Sequence, residues 1–277
     1  MAISTLSDVA EQIHKYAEEI LQRTCTLGDG VSDALNDVLR TFVGWPYAVG
    51  PISIRELKHT GDAMFQSAIY TSAMAGEQEG ATPVDAVKVA CVFHTATALT
   101  IEELTTGYRR IGAVKRLKRP SPTGIGYPVN NTPLGVIFCI ESESSLEMIA
   151  ENIVEINKTV PSTEWPDIIL VLRRGTVNYA VQFEGDKIRG DFLLPNSDDF
   201  PVTPMYVHVF ARALGLHSLN RLFSFLFLHL QIFSPGIKLP NEAAVEDIST
   251  MGMTLGAYQF NLKRQLVPFC RFHAMIS

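Results

Sequence analysis

The sequence is poor in the residues that build disulfide frameworks and structural zinc sites. Its 277 residues contain four cysteines, Cys25, Cys91, Cys139 and Cys270, which lie far apart and form no Cys-x-x-Cys pair. Closely paired cysteines are what disulfide-rich domains and zinc modules share. The sequence therefore predicts a protein of a reducing compartment, and we expect it in the cytoplasm.

The sequence also lacks a membrane-spanning segment. The longest apolar run, Leu219 to Phe233, is interrupted by Arg221 and His229, whereas a spanning helix needs about 20 apolar residues. We interpret this run as a buried core helix, with a membrane-active helix as the alternative. The first 20 residues carry acids early and have no long apolar core, so they do not resemble a signal peptide.

Charge and familiar catalytic motifs are scarce as well. Charged residues make up 19 % of the chain and apolar residues 47 %, and the formal net charge is −6. This composition is typical of a globular protein. The negative net charge argues against a protein that binds nucleic acid over its whole surface, because neutralising phosphates requires clustered Lys and Arg. No HExxH, GxSxG, P-loop or GxGxxG motif occurs.

The first 110 residues predict helices and no strand. Apolar residues in the first helix recur at helical spacing from Leu6 to Ile20. This stripe would dock on its own domain or seed a helical dimer. Helices are predicted over 6–21, 32–42, 60–75 and 84–98, and from the Thr100 capping box toward Tyr108.

A short basic segment follows these predicted helices. Six cations fall within eleven residues: Arg109, Arg110, Lys115, Arg116, Lys118 and Arg119. One interpretation is a solvated helix end or hinge. The other is a contact with an anion or nucleic acid. Apolar residues between the cations predict that one face docks and that the cations point outward.

An α/β unit occupies the segment from Thr132 to Phe183. Apolar strands are predicted over 134–140 and 167–172, with a helix between them that Ser144 or Ser145 caps. A strand, a crossover helix and a strand of this length imply a right-handed parallel pair. Arg174-Gly175 is a tight-turn signal, after which residues 176–183 return antiparallel.

The remaining segments complete the predicted fold. Thr203-Pro204 predicts another helix start, with a restart at Ser218, and alternation around Tyr258 predicts an edge strand. The fold class is α/β, or α+β overall: a mainly helical N-terminal region followed by a mixed-sheet α/β core flanked by helices. Three regions are expected, with boundaries at 1–119, 120–240 and 241–277.

Charged side chains gather at one edge of this predicted core. Glu141 and Glu143 end the first strand on the same face, and Arg173 and Arg174 follow the second. The carboxyl ends of parallel strands share an edge, where open α/β sheets bind ligands. Asp167 starts its strand and falls at the opposite edge. The four residues predict either a partly exposed ion network or a site, with the glutamates as metal ligands and catalytic groups and the arginines as anion ligands.

These residues carry a resemblance to the restriction-endonuclease-like, PD-(D/E)xK, nucleases. The family pattern is an Asp on an earlier strand, then Glu-x-Lys at the end of an apolar strand that a helix and another strand follow. Glu141 matches the family Glu, whereas Glu143 stands in place of the Lys, and the basic, Pro-rich segment before Leu134 offers no Asp-bearing strand. The resemblance covers roughly residues 130–185 and implies a nuclease-like fold that is either unusual or catalytically degenerate. Such domains occur in bacterial proteins, including some in anti-phage defence.

Three functional hypotheses follow. The first is an intracellular binding protein on a nuclease-like domain. Its partner would be a protein or a second copy, nucleic acid held by the basic segment, or a small anionic ligand at Arg173 and Arg174. The second is a nuclease or phosphodiesterase that uses Glu141 and Glu143 with Mg²⁺ or Mn²⁺. The third is a scaffold that self-associates through its first helix.

Overall fold

A single mixed sheet of nine strands organises the chain. The computed structural model describes residues 6–28, 30–44, 46–58, 62–72, 80–117, 132–183, 205–233 and 253–261. The strands are β1 (Tyr47–Ile54), β2 (Met64–Thr71), β3 (Thr82–Val84), β4 (Val89–Leu99), β5 (Leu134–Ser142), β6 (Ile168–Val171), β7 (Gly175–Phe183), β8 (Met205–Ala213) and β9 (Met253–Asn261). The helices are α1 (Leu6–Gln22), α2 (Val31–Phe42), α3 (Ile101–Lys115), α4 (Leu146–Asn157) and α5 (Ser218–Phe233).

Three parallel strands form the centre of the sheet, whose order is β3-β1-β2-β4-β5-β6-β7-β8-β9. β4, β5 and β6 are parallel, and α3 and α4 connect them in turn. β1, β2 and β4 pair antiparallel on one side, and β6 to β9 pair antiparallel on the other. The carboxyl ends of β4, β5 and β6 therefore meet along one edge, which we call the carboxyl edge.

Helices cover both faces of the central strands. Leu104 and Ile111 of α3 and Ile149 of α4 pack in one core with Ile137 of β5. The second core, on the opposite face, contains buried residues of α1, α2 and α5: Ile13, Ala17, Ile20, Leu35, Leu39, Leu222 and Leu226. Central strands with both faces covered are expected to be apolar throughout, and β5 is buried from Leu134 to Ile140.

The predicted fold class is confirmed: a mixed-sheet α/β core is flanked by helices, and helices lead the chain. The crossover unit also forms as expected, with Ser145 accepting a hydrogen bond from the Met148 amide at the start of α4. Thr100 caps α3 in the same way through the Glu103 amide. β9 lies at the end of the sheet order, in agreement with the edge strand predicted near Tyr258.

Several helix predictions are wrong. Residues 60–75 and 84–98 hold the strands β2 and β4, Thr82-Pro83 begins β3, and Thr203-Pro204 precedes β8. β4 is a central strand, buried without a break from Val89 to His94, so it shows no alternation that would distinguish a strand from a helix. Tertiary burial of both faces, and not local propensity, decides the structure of this segment.

Two further expectations concern α1 and the domain division. The described part of the apolar face of α1 packs within its own chain, where Ile13, Ala17 and Ile20 are buried in one core with residues of α2 and α5. This burial favours docking of α1 on its own domain over a helical dimer. The division after residue 119 stays a prediction; the sheet takes β1–β4 from one side of it and β5–β9 from the other.

Within the described residues, no helix is long and apolar enough to cross a membrane.

Candidate functional site

The carboxyl edge brings two of the predicted site residues together. The Arg173 amide donates to the Ile140 carbonyl at 3.2 Å, which holds the turn after β6 beside the end of β5. Arg173 Nη1 then lies 3.8 Å from Glu141 Oε2, and both side chains are half-exposed. An ion pair of this length and exposure contributes roughly 0–1 kcal/mol. Glu141 and Arg173 thus face each other loosely and remain open to solvent.

The other two predicted residues at this edge have no side-chain partner among the described residues. Glu143 follows β5 in a bend, Arg174 lies in the turn before β7, and both are exposed. Within the described part of the chain, neither side chain makes a hydrogen bond or ion pair. Arg173 has a second contact, because its Nη2 donates to Cys25 Sγ at 3.6 Å. Among the described residues, the edge therefore carries one loosely joined ion pair and one exposed charge of each sign without a side-chain partner.

The two glutamates fit a divalent cation in donor type. Mg²⁺ takes oxygen ligands, often one or two carboxylates with the rest water, and Glu141 and Glu143 are exposed carboxylates two residues apart. No group of three or more His, Cys, Asp or Glu side chains among the described residues is arranged to hold a metal ion. The assignment of the two glutamates as metal ligands and catalytic groups stays a prediction.

The basic segment is largely neutralised by its own chain. Arg109 pairs with Asp62, Arg116 pairs with Glu164, and Arg110 donates to the Met64 carbonyl. These contacts support the structural interpretation of the segment over an open patch for anions. Lys118 and Arg119, which were also expected to bind anions, lie outside the described residues.

Lys115 corrects the expectation that the cations point outward. Its side chain is 0 % exposed, and its Nζ donates to Asp167 Oδ2 and to the Trp165 carbonyl, each at 2.7 Å. Asp167 also accepts a hydrogen bond from the Gly135 amide at 2.7 Å. The pair joins the end of α3 to the starts of β5 and β6, at the edge opposite the arginines. Lys115 is thus a buried structural residue and cannot reach a ligand at the surface.

A second polar cluster lies where β2 and β4 separate. Their pairing ends at Ser67 and Phe93, although β4 continues beside β5 to Leu99. Two side chains satisfy β2 carbonyls past this point: Asn36 Nδ2 donates to Gln66 at 2.9 Å, and Arg110 donates to Met64. Buried backbone carbonyls need such partners, so this pair of contacts lets the strands separate.

His94 is the buried titratable group of this second cluster. Arg110 Nη1 lies 3.4 Å from its Nδ1, and Glu103 Oε2 lies 2.7 Å from its Nε2. With Arg110 donating to Nδ1, the ring proton sits on Nε2 and is donated to Glu103. Burial lowers the pKa of His94 and the Arg110 charge adds to this, while the Glu103 hydrogen bond opposes it. The neutral imidazole is therefore favoured, and it holds Glu103 in place.

Sequence reasoning missed this cluster because it took β4 for a helix. The capping box at Thr100 did mark the start of α3. The roles of Glu103 and Arg110, however, depend on their contacts with the neighbouring strand β4. Gly107 was a further signal: a Cβ there would lie 2.9 Å from the His94 ring, so α3 packs closely on β4. A glycine inside a helix often marks such a close approach.

Comparison with known proteins shows a shared fold. The chain is similar to the cAAA-bound form of NucC from P. aeruginosa ATCC27853, with a TM-score of 0.53, 17 % identity, and coverage of 90 % of this chain and all of that one. It also matches NucC of E. coli MS115-1 in its cAAA-bound form, with a TM-score of 0.49, 15 % identity, and coverage of 69 % of this chain and 85 % of that one. No family model and no curated protein matches the sequence. The P. aeruginosa match shows the α/β fold of NucC, and the fold alone.

β4 is a second strand that could carry the Glu-x-Lys part of the nuclease pattern. Like β5, β4 is followed by a helix and a parallel strand. In addition, the antiparallel strands β1 and β2 precede β4 in the chain. By strand alternation, His94 and Ala96 share the face toward α3. Neither is a carboxylate or a lysine, and the carboxylate that approaches this position, Glu103, comes from α3 and already contacts His94.

Proposed function

We propose that the protein is a binding protein built on a nuclease-like α/β fold, that its catalytic pattern is degenerate, and that it acts in bacterial anti-phage defence. The observation that carries the proposal is the state of the carboxylates near the two strand ends. Glu103 is held by His94, and Glu141 faces Arg173. A metal ion bound at either carboxylate would compete with the partner that the carboxylate already has within the chain, which is His94 for Glu103 and, more weakly, Arg173 for Glu141.

The residue that replaces the family lysine supports this proposal. Glu143 puts a negative charge where the pattern has a positive one. Phosphoryl transfer needs positive charge where negative charge develops, so this exchange opposes the reaction. On β4, the corresponding residues His94 and Ala96 supply no cation of the lysine type.

The contacts of the basic segment favour a protein partner over nucleic acid. Lys115 is buried, and Arg109 and Arg116, although more than half exposed, are paired with Asp62 and Glu164. This pairing reduces the local positive charge that counterion release from nucleic acid needs. The proposal places the protein in the bacterial cytoplasm, where the free thiols Cys91 and Cys139 stay reduced.

A cleavage assay tests the proposal. The full chain is incubated with single- and double-stranded DNA and RNA in Mg²⁺ or Mn²⁺, beside Glu141→Gln and the matched control Glu19→Gln, an exposed glutamate on α1. We expect no cleavage by any of the three. Cleavage that Glu141→Gln abolishes and Glu19→Gln keeps would show an active enzyme and refute the degenerate pattern. Since the NucC structure contains cAAA, the assay is repeated with cAAA present.

The second candidate is a metal-dependent nuclease or phosphodiesterase. The observation in its favour is Glu143, an exposed carboxylate with no contact in the described residues, two positions after Glu141. Together they would hold Mg²⁺ or Mn²⁺, which would supply Lewis-acid chemistry. Arg173 and Arg174 would bind the phosphate oxygens. Thermal unfolding with and without metal tests this: a rise in Tm that Glu143→Gln removes would support it.

A further inference from the structure

Two histidines from distant parts of the chain meet where α1 packs beside the start of α5. His14 lies on α1, and His217 ends the short 3-10 turn that leads into α5. Their ring centroids are 5.1 Å apart, and their ring planes are inclined by 32°. Two imidazoles bound to one tetrahedral Zn²⁺, at Zn–N distances of about 2.0–2.1 Å, have their centroids roughly 5 Å apart. The spacing of the two rings therefore matches the spacing that a shared metal ion requires.

One nitrogen of His14 lies near a carboxylate, and the other has no partner. Glu18, one helical turn further along α1, places its Oε1 3.6 Å from His14 Nε2. A carboxylate on that side favours the tautomer with the proton on Nε2, which leaves a lone pair on Nδ1. Nδ1 is buried and has no hydrogen-bond partner among the described residues. A histidine that binds a metal commonly donates its other ring N–H to a carboxylate, so His14 has the arrangement of a metal ligand.

An amide lies beside one nitrogen of His217 in a similar way. Asn220 is 2 % exposed, its Nδ2 lies 3.5 Å from His217 Nδ1, and its Oδ1 has no partner in the described part of the chain. A half-turn of the amide exchanges its oxygen and nitrogen at nearly the same positions. Oδ1 then accepts the Nδ1–H of His217, and Nε2 carries the lone pair. Each histidine thus has an oxygen acceptor for one ring nitrogen and a lone pair on the other.

Packed elements hold both histidines in place. Ile13, the residue before the first histidine, is buried in one core with Leu219 of α5. The Gly215 amide donates to the Arg174 carbonyl at 3.0 Å, which fixes the turn before α5. His217 is exposed, so an ion can approach the pair from solvent. Ligands that are already in position lose little conformational entropy when they bind.

We propose that His14 and His217 bind a Zn²⁺ ion that joins α1 to the start of α5. Imidazole nitrogen suits Zn²⁺, whereas Mg²⁺ takes oxygen ligands, so this ion differs from the one that the carboxylates of the carboxyl edge would hold. No third His, Cys, Asp or Glu among the described residues completes the set. Water therefore fills the remaining positions, and the ion is exchangeable. The inference does not depend on the proposed function.

Calorimetric titration of the metal-free full chain with Zn²⁺ tests the site. We expect the wild type to bind Zn²⁺, and His14→Gln and His217→Gln each to bind at least about tenfold more weakly, because each removes one of two ligands. Glu18→Gln should also weaken binding by about tenfold, since it removes the carboxylate that orients His14. The matched control is Glu11→Gln, which removes a glutamate of the same helix that pairs with Lys15. This control should bind Zn²⁺ as the wild type does.

Thermal unfolding gives a second measurement. Zn²⁺ at about 100 times its Kd should raise the Tm of the wild type by roughly 5 °C or more, because the ion binds the folded chain. His14→Gln should remove this rise, whereas it should leave any effect of Mg²⁺ unchanged. Acidification should weaken the binding of Zn²⁺, because protons compete for the imidazole nitrogens. Circular dichroism without metal verifies that each variant is folded.

A wild type that binds no Zn²⁺ would overturn the inference. Binding that His14→Gln and His217→Gln both leave unchanged would overturn it as well, because the ion would then belong to other groups of the chain. These measurements contain no nucleic acid, so their outcome is separate from that of the cleavage assay.

Discussion

The buried pair of Lys115 and Asp167 gives the sharpest stability prediction. Lys115→Met keeps most of the volume of the side chain and removes its charge. The carboxylate of Asp167, which is 3 % exposed, then keeps the hydrogen bond from the Gly135 amide but loses the one from Lys115 Nζ. The Trp165 carbonyl also loses its Nζ donor. Removing one partner of a buried ion pair costs about 3–5 kcal/mol. For a chain of this size, that corresponds to a fall in Tm of roughly 6–20 °C.

Urea unfolding monitored by circular dichroism measures this loss, and a neighbouring residue provides the control. Arg116→Met removes a half-exposed partner of Glu164, and exposed pairs contribute roughly 0–1 kcal/mol. The double variant Lys115→Met with Asp167→Leu should lose less free energy of unfolding than the sum of the single variants, because no lone charge stays buried. A Lys115→Met variant as stable as Arg116→Met would refute the reasoning that this pair holds α3 to β5 and β6.

Two further predictions concern the turn after β6 and the cluster on β4. Gly175→Ala should destabilise the fold by more than about 3 kcal/mol, because φ at Gly175 is +155° and a Cβ there would overlap the Arg212 carbonyl oxygen. The control is Gly44→Ala, where a Cβ meets nothing within 4 Å. Equal unfolding midpoints for the two variants would contradict the prediction. Because burial lowers the pKa of His94, the unfolded chain binds the proton more readily, so stability should fall as pH drops below about 6.5. His94→Gln should flatten this fall in Tm against pH, and an unchanged slope would assign it to other groups.

The α/β unit from β5 to β7 could be predicted from sequence because its signals are local. Ser145 caps α4 through its own hydroxyl, and the continuous apolar run of β5 is flanked by turn residues. A crossover between two such strands permits essentially one handedness. The parallel direction of β6 relative to β5 could therefore also be predicted from the sequence. The position of Arg173 beside Glu141 is a consequence of that topology.

The strands β2 and β4 could not be predicted in the same way. Residues 60–75 are rich in Ala, Met and Ser, of which Ala and Met favour a helix. β4 is buried on both faces over most of its length. What makes these segments strands is pairing with residues far along the chain, such as Phe93 with Val136. A window of local sequence contains no information about such pairing.

By itself, the sequence determined the fold class, the parallel pair and the edge at which Glu141, Glu143, Arg173 and Arg174 gather. Tertiary structure alone decided which of the charged side chains have partners within the described part of the chain. It buried Lys115 against Asp167, engaged Glu141 with Arg173, and left Glu143 and Arg174 exposed. The physical reason is that the strand period sets the face and the edge of a residue, whereas partners and desolvation depend on elements that only folding brings together.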